Sequence, residues 1–180
     1  MTNPDEGNWN LADEHRCWLQ STFELYQRPL VAYAWRLLSG DLESARDCVQ
    51  ETFLSLCQQP RSSVEGHVDA WLFKVCRNRA MDHHRREGRM NQLNQTIESN
   101  LAVSSHEDPL RSIELDEEHR GVELQILQLP PREQELLTLR MSHGMSYKQI
   151  AEITGLSVSN VGFLLHQAIS RLKTALSPTD

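Results

Sequence analysis

The 180-residue sequence lacks a long apolar run, a closely spaced pair of cysteines and a glycine-rich phosphate loop. No apolar run approaches the roughly 20 residues of a membrane-spanning helix, and residues 1–10 are too polar for a signal peptide. We therefore expect a cytoplasmic protein without membrane insertion, whose four cysteines are reduced thiols. Neither a Walker loop nor a dinucleotide-binding turn is present, which argues against a nucleotide cofactor.

Positive charge is scarce and unevenly distributed. The chain holds 18 Lys and Arg residues against 25 Asp and Glu, a net charge of −7. Residues 70–90 nevertheless hold six Lys and Arg and two Asp and Glu, a net +4, whereas residues 91–120 carry a net −5. A protein that binds DNA unaided by neutralising phosphates is usually basic across its whole contact surface. The chain as a whole does not fit that class, and one short basic segment stands out.

Strand signals are nearly absent, and apolar residues recur at helical spacing instead. Asp41 is a candidate helix N-cap. The apolar face that follows it consists of Leu42, Ala45, Val49, Phe53 and Leu56. Pro29 should kink or break the helical segment 19–38, or start its second half. Residues 58–68 contain proline, glycine and paired serines and are predicted to form a loop.

The composition divides the chain into four segments. Residues 1–18 form an N-terminal extension, residues 19–90 a helical bundle, residues 91–120 an acidic linker and residues 121–177 a second domain. Few large apolar residues occur in the linker, which is rich in Asn, Gln, Ser and acidic side chains. The predicted fold class is all-α, with two small helical domains joined by a flexible linker.

Residues 146–176 carry the strongest local pattern. Ser146 and Gln149 have the spacing of a capping box, and Gly155 can end the short helix that follows. A helix-turn-helix needs a small residue where its helices cross, a glycine in the turn and a branched apolar residue on the second helix. Ala151, Gly155 and Val161 have that spacing. The alternative is an ordinary helical hairpin, but the pattern favours a DNA-binding motif.

Two motif blocks resemble one family. The sequence LPPRE at residues 129–133 and GMSYKQIAE at residues 144–152 resemble region 4 of bacterial RNA polymerase sigma factors, most closely the extracytoplasmic function (ECF) group. Independently, DCVQETFL at residues 47–54 and the helix at residues 71–86 resemble region 2 of the same family. Both blocks stand in the family's order, with a linker between them.

The resemblance implies a non-catalytic subunit whose partners are core RNA polymerase and promoter DNA, with an anti-sigma factor as a candidate third partner. Region 2 would bind the polymerase and melt the promoter −10 element, and region 4 would bind the −35 element. The implied polymerase-binding residues are Asp47, Gln50, Glu51 and Leu54. For the charged pair among them, a merely solvated helix face is the competing interpretation.

The resemblance also implies a set of DNA-binding residues. In region 2 they are Arg77, Asn78, Arg79, Asp82, Arg85 and Arg86, whereas Trp71 is expected in the core. In region 4 they are Ser157, Ser159, Asn160 and Phe163. Many relatives place Lys or Arg where this recognition segment has Gly162, Leu164, Gln167 and Ile169. The cations left near region 4 for phosphate contacts are Arg140, Lys148, Arg171 and Lys173.

Two rival functions are weaker. A stand-alone helix-turn-helix regulator with a helical sensory or dimerisation domain would explain residues 121–176 but not the motif at residues 47–54. A metalloenzyme would need Cys76, His83 and His84 as ligands, but Cys76 and His83 lie about 10 Å apart along a helix and no fourth ligand is evident. We therefore expect no enzyme activity, no metal and no cofactor.

Overall fold

The computed structural model describes residues 6–94 and 125–176, with side chains at residues 13–86 and 125–176. Residues cluster into two compact units, Met1–Asp108 and Pro109–Asp180, which are taken in turn below. The described parts of both units are helical and contain no strand, as the all-α prediction requires. Most of the predicted linker, residues 95–120, lies outside the described residues, and the predicted domain boundaries stay predictions.

The described residues of the first unit, 6–94, form a bundle of three long helices and one short one. They are α1 (Glu6–Leu37), α2 (Leu42–Cys57), α3 (Arg61–Val64), which continues as a 3₁₀ turn at Glu65–His67, and α4 (Val68–Asn94). Helix α4 therefore extends four residues into the segment predicted to be the linker. Helices α1, α2 and α4 pack against one another.

Large apolar side chains from all three long helices form the core of the bundle. Leu30, Leu56, Leu72 and Phe73 are completely buried. The ring of Phe73 meets that of Tyr33 edge-on, with centroids 5.1 Å apart. The face predicted for α2 is confirmed except at Leu42, which is only partly buried, since the buried residues are Ala45, Cys48, Val49, Thr52, Phe53 and Leu56. Burial of this face explains why α2 folds as an amphipathic helix.

Two local predictions in this unit are wrong. Helix α1 runs from Glu6 to Leu37 with Pro29 inside it, so the predicted break is wrong, whereas the alternative of a kink stays a prediction. Proline cannot donate a hydrogen bond to the carbonyl of Leu25, but Leu25 is exposed, so water can bond to the freed carbonyl. The segment 58–68, predicted as a loop, folds into α3 and the 3₁₀ turn, because buried Val64 anchors it to the bundle.

The turn between α1 and α2 is held by side chains from two directions. Asp41 accepts hydrogen bonds from the backbone amides of Glu43 and Ser44 and from the Ser44 hydroxyl, which confirms it as the N-cap. From α4, the ring of His83 lies 3.1 Å from the Ser44 hydroxyl, and the ring of His84 contacts the carbonyl of Leu37. The three helices are therefore linked at one end of the bundle.

Removal of this cap should cost stability in a pH-dependent way. The hydrogen bond from the Ser44 hydroxyl is the main cause that lowers the pKa of Asp41 below its ordinary value of 3.8. A lowered pKa means that the carboxylate stabilises the fold above its unfolded pKa and that this contribution is lost as pH falls through the folded pKa. We expect Asp41→Ala to cost about 1 kcal/mol at pH 7 in urea unfolding of the full chain.

The cost of Asp41→Ala should shrink as the pH falls below 3.8 and through the lowered folded pKa, because the carboxylate is then protonated. Asp41→Asn is the matched control, because asparagine caps about as well and does not titrate. A cost of Asp41→Ala that stays constant between pH 7 and acid would contradict the assignment.

Residues 131–176 of the second unit form three helices and a π-helical segment. They are α5 (Pro131–Leu137), the π-helical residues Thr138–Ser142, α6 (Tyr147–Thr154) and α7 (Val158–Leu176). Pro131 occupies the first turn of α5, as predicted, and the helix does reach Ser142, although its last turn is π rather than α. The core is formed by Leu136, Leu139, Met145, Ile150 and Leu165, all at most 2% exposed.

The caps predicted for α6 and α7 are confirmed. The Ser146 side chain and Gln149 form a reciprocal capping box at the start of α6. Gly155 ends α6 at φ +75°, a left-handed conformation that other residues resist. The Ser157 hydroxyl accepts a hydrogen bond of 3.2 Å from the amide of Asn160 and so caps α7. Helices α6 and α7 pack against each other across this turn.

Candidate functional site

The outer face of α2 presents all four predicted polymerase-binding residues. Asp47, Gln50, Glu51 and Leu54 are exposed, and Leu54 keeps 57% of its surface accessible. They follow one another at i, i+3, i+4 and i+7, so they lie along a single side of the helix. The buried residues of α2 occupy its other side. Leu54 adds an exposed apolar side chain to this otherwise polar face.

A shallow apolar groove of about 490 Å³ lies beside this face, between α1 and α2. Its lining residues are Phe23, Gln27, Val31, Arg46, Val49, Gln50, Phe53, Leu54 and Cys57. The ring of Phe23, 41% exposed, meets Phe53 edge-on at 4.9 Å. We call these residues the α1–α2 groove. It contains two predicted docking residues, Gln50 and Leu54, and continues the outer face of α2 with apolar surface.

Glu51 and Arg79, which were predicted to contact different partners, form an ion pair with each other. Arg79 also donates a 2.6 Å hydrogen bond to the hydroxyl of Ser55, so its guanidinium links α4 to α2. Both residues stay predicted contacts. To contact the polymerase, Glu51 would have to give up its ion pair with Arg79, and Arg79 would have to give up the same pair to contact DNA.

The predicted DNA-binding residues of α4 divide into two groups. Asn78, Asp82, Arg85 and Arg86 are exposed and fall on one side of the helix. Arg85 donates a 2.9 Å hydrogen bond to the carboxylate of Asp82, and both side chains are more than half exposed. Arg77 and Arg79 are partly buried. Trp71, which was expected in the core, is only partly buried near the start of the same helix.

Helices α6 and α7 form a helix-turn-helix in which α7 is the second helix. Its N-terminal residues Ser157, Ser159, Asn160 and Phe163 are all exposed, as the prediction requires for residues that face DNA. The side of α7 that packs on the domain consists of Val161, Leu165 and Ala168. Helix α7 therefore has a clean division between a packed side and an exposed side, and we call it the recognition helix from here on.

Arg140 and Arg171, both expected to bind phosphate, are engaged within the second unit. Arg140 donates a 2.9 Å hydrogen bond to the carbonyl of Met145 and lies over the Tyr147 ring at 5.5 Å. Arg171 pairs at 3.1 Å with the carboxylate of Glu133, whose side chain is only 4% exposed. Both guanidinium groups stabilise the fold of this unit, so a phosphate contact would compete with these bonds.

Family models of known proteins match both the helical bundle and the helix-turn-helix unit. The Sigma-70 region 2 family model matches residues 22–90, and the Sigma-70, region 4 model matches residues 119–172. The ECF RNA polymerase sigma factor EcfG of Rhodopseudomonas palustris is 30% identical over 141 residues, which cover 77% of this chain and 75% of that protein. The chain belongs to the ECF RNA polymerase sigma factors. This membership gives the sigma factor a role in promoter-directed transcription.

Two further comparisons cover most of the sigma factor. RNA polymerase sigma factor YlaC of Bacillus subtilis is 26% identical over 162 residues, 89% of this chain and 92% of that protein. Among solved structures, RpoE of Bartonella quintana, crystallised with the anti-sigma factor NepR, aligns with a TM-score of 0.65 at 23% identity. That alignment covers 89% of this chain and 98% of RpoE, and it supports the fold.

All four cysteines of the sigma factor are free thiols, two of them buried and two exposed. Cys48 and Cys76 are buried, and burial raises the pKa of Cys76 to about 12 and also raises that of Cys48. Cys17 and Cys57 are exposed. Within residues 13–86 and 125–176, no three His, Cys, Asp or Glu side chains gather into a metal-binding group. No helix in the same ranges is long and apolar enough to cross a membrane.

The sequence interpretation missed the α1 side of the groove. Phe23, Gln27 and Val31 follow one another at i, i+4 and i+8, which places them on one side of α1. This spacing was visible in the sequence, but nothing in it says that this side of α1 borders α2 rather than solvent. The groove depends on how two helices pack, which is a tertiary property.

Proposed function

We propose that this sigma factor binds core RNA polymerase and directs promoter-specific initiation, recognising and melting the −10 element with region 2 and binding the −35 element with region 4. One observation carries the proposal. A region 2 bundle and a region 4 helix-turn-helix occur in one chain, and the side chains predicted to face the polymerase and the major groove are exposed. Such a subunit performs no catalysis of its own, and it acts in the cytoplasm, where the bacterial chromosome lies.

Polymerase docking is supported by the α1–α2 groove together with the outer face of α2. Exposed Leu54 and Phe23 provide apolar surface of the kind that forms the centre of a protein interface. Asp47 and Glu51 provide a charged rim beside it. An apolar centre with a charged rim is typical of interfaces that form between separately folded proteins. An anti-sigma factor that covered the same surface would compete with the polymerase, and we propose that such a partner would inhibit this chain.

Promoter contact is supported by the exposed side of α4 and by the recognition helix. Asn78, Arg85 and Arg86 offer hydrogen-bond donors on one exposed side of α4. Asn160 can form a bidentate pair with adenine in the major groove. Because the chain as a whole is acidic, we propose that the polymerase supplies most of the positive field that holds the DNA.

Native cysteines offer a direct test of the docking surface. Cys57 is exposed and lines the α1–α2 groove, whereas Cys17 is exposed outside it. The two buried thiols should react slowly, because burial and a raised pKa suppress the reactive thiolate. In a maleimide labelling time course followed by mass spectrometry, core RNA polymerase should slow the labelling of Cys57 more than that of Cys17. Equal labelling of Cys57 with and without saturating polymerase would refute docking at the groove.

A further inference from the structure

We propose that Phe163 is a specificity-determining residue that contacts the C5-methyl group of a thymine in the −35 element. The inference rests on the proposed function, in which the recognition helix enters the major groove of that element. It goes further in assigning a base preference to a residue that has no hydrogen-bonding group.

The position of Phe163 on the recognition helix is the first support. The packed side of the helix is formed by Val161, Leu165 and Ala168. At 100° per residue, Phe163 points about 200° away from Val161, opposite the packed side. Its side chain is 65% exposed. The ring therefore projects from the centre of the exposed side, and Phe163 is not among the buried residues of the helix.

The neighbours of Phe163 on the helix are small or polar. Ser159 lies one turn before it, and Asn160 lies three residues before it. Both are exposed, and Asn160 has the donor and acceptor needed for adenine. The phenyl ring is thus flanked by groups that hydrogen-bond to base edges. This arrangement fits a surface that reads bases and not one that neutralises phosphate.

The chemistry of the major groove supplies one apolar feature, the thymine methyl group, and phenylalanine is among the side chains that contact it. Cytosine, guanine and adenine present only donors and acceptors at that edge. A buried phenyl ring opposite cytosine would leave the cytosine amino group without a partner, which is unfavourable. Phe163 should therefore favour thymine for two reasons: the ring makes an apolar contact with the thymine methyl group, and it disfavours cytosine at the same position.

The cations of the second unit strengthen the inference. Arg140 and Arg171 are engaged with Met145, Tyr147 and Glu133. With fewer guanidinium groups ready to bind phosphate, hydrogen-bond and apolar contacts to bases must provide a larger share of −35 recognition. The most exposed apolar side chain of the recognition helix is Phe163.

The test uses the full chain reconstituted with core RNA polymerase and a promoter duplex library randomised across the −35 region. We expect selection to enrich thymine at one or more positions. In an enriched duplex, replacing that thymine by deoxyuridine, which lacks only the methyl group, should weaken wild-type binding about fourfold. With Phe163→Ala, the same replacement should have no effect, and thymine enrichment should be lost at that position.

Ile169→Ala is the matched control. Ile169 is an exposed apolar residue of the same helix, but it lies in the C-terminal half, beyond the residues predicted to enter the major groove. It should keep the deoxyuridine effect. Phe163→Gln provides a second variant without the ring should Phe163→Ala fold poorly. A Phe163→Ala protein that still loses affinity on deoxyuridine replacement would overturn the inference, as would one that binds the polymerase less well with unchanged base preference. If the wild-type holoenzyme enriched no −35 sequence at all, the proposed function of region 4 would fail instead.

Discussion

Replacement of Leu54 by aspartate is expected to weaken binding to core RNA polymerase by more than about tenfold, or about 1.4 kcal/mol. Leu54 lies on the outer face of α2 and at the edge of the α1–α2 groove, with 57% of its surface exposed. Because the residue is not in the core, the substitution should leave the fold intact. In a complex, the aspartate would place an unpaired charge in an apolar contact, which is unfavourable. Fluorescence titration of labelled chain with core polymerase measures the effect.

Leu25→Asp is the control for Leu54→Asp. Leu25 is a leucine of similar exposure, 65%, on α1, and it does not line the groove. Its substitution should leave polymerase affinity unchanged. Gln50→Ala should have a smaller effect than Leu54→Asp in the same direction, because it removes only a polar contact at the groove. Equal affinities for wild type and Leu54→Asp, with unchanged melting temperature, would rule out the groove as the docking site.

The second large effect is expected in region 4, where Arg171→Ala should lower the free energy of unfolding by about 2 kcal/mol. Arg171 pairs with Glu133, a carboxylate that is almost fully buried. Removal of the guanidinium leaves a buried charge with a poorer set of partners, and the second oxygen of Glu133 already has no hydrogen-bond partner among the described residues. Urea unfolding followed by circular dichroism should show the loss.

A double-mutant cycle separates this structural role of Arg171 from a phosphate contact. Adding Glu133→Gln to Arg171→Ala should recover part of the stability, because the amide carries no charge. Lys148→Ala, which removes another cation of this unit, should change stability by less than about 0.5 kcal/mol. If Arg171→Ala left unfolding unchanged and weakened only DNA binding in the holoenzyme, the residue would belong to the DNA interface after all.

Features encoded by neighbouring residues were predictable from the sequence. The N-cap Asp41, the capping box of Ser146 and Gln149, and the left-handed Gly155 all occur as expected. Each depends on residues within four positions of one another, where backbone geometry fixes which groups can meet. The apolar face of α2 was equally predictable, because a helix of known phase determines which side is buried.

Features that depend on how helices pack were not predictable. The ion pair of Glu51 with Arg79 joins residues 28 positions apart, and that of Glu133 with Arg171 joins α5 to α7. Arg79 was predicted to contact DNA from the resemblance and Arg171 as one of the few cations near region 4, and neither signal could reveal these partners within the chain. The α1–α2 groove escaped for the same reason. The break predicted at Pro29 does not occur, because the rule against proline inside a helix is weaker where water can bond to the freed carbonyl.

Run-off transcription with purified core RNA polymerase tests the central claim most directly. Templates selected from a promoter library by the reconstituted holoenzyme should give transcripts of defined length only when the chain is added to core polymerase. The chain alone should bind the same duplexes weakly at 0.15 M salt, because its net charge is −7. Tight binding to duplex DNA by the chain alone, with no change in the start sites used by the polymerase, would contradict the account and favour a stand-alone helix-turn-helix regulator.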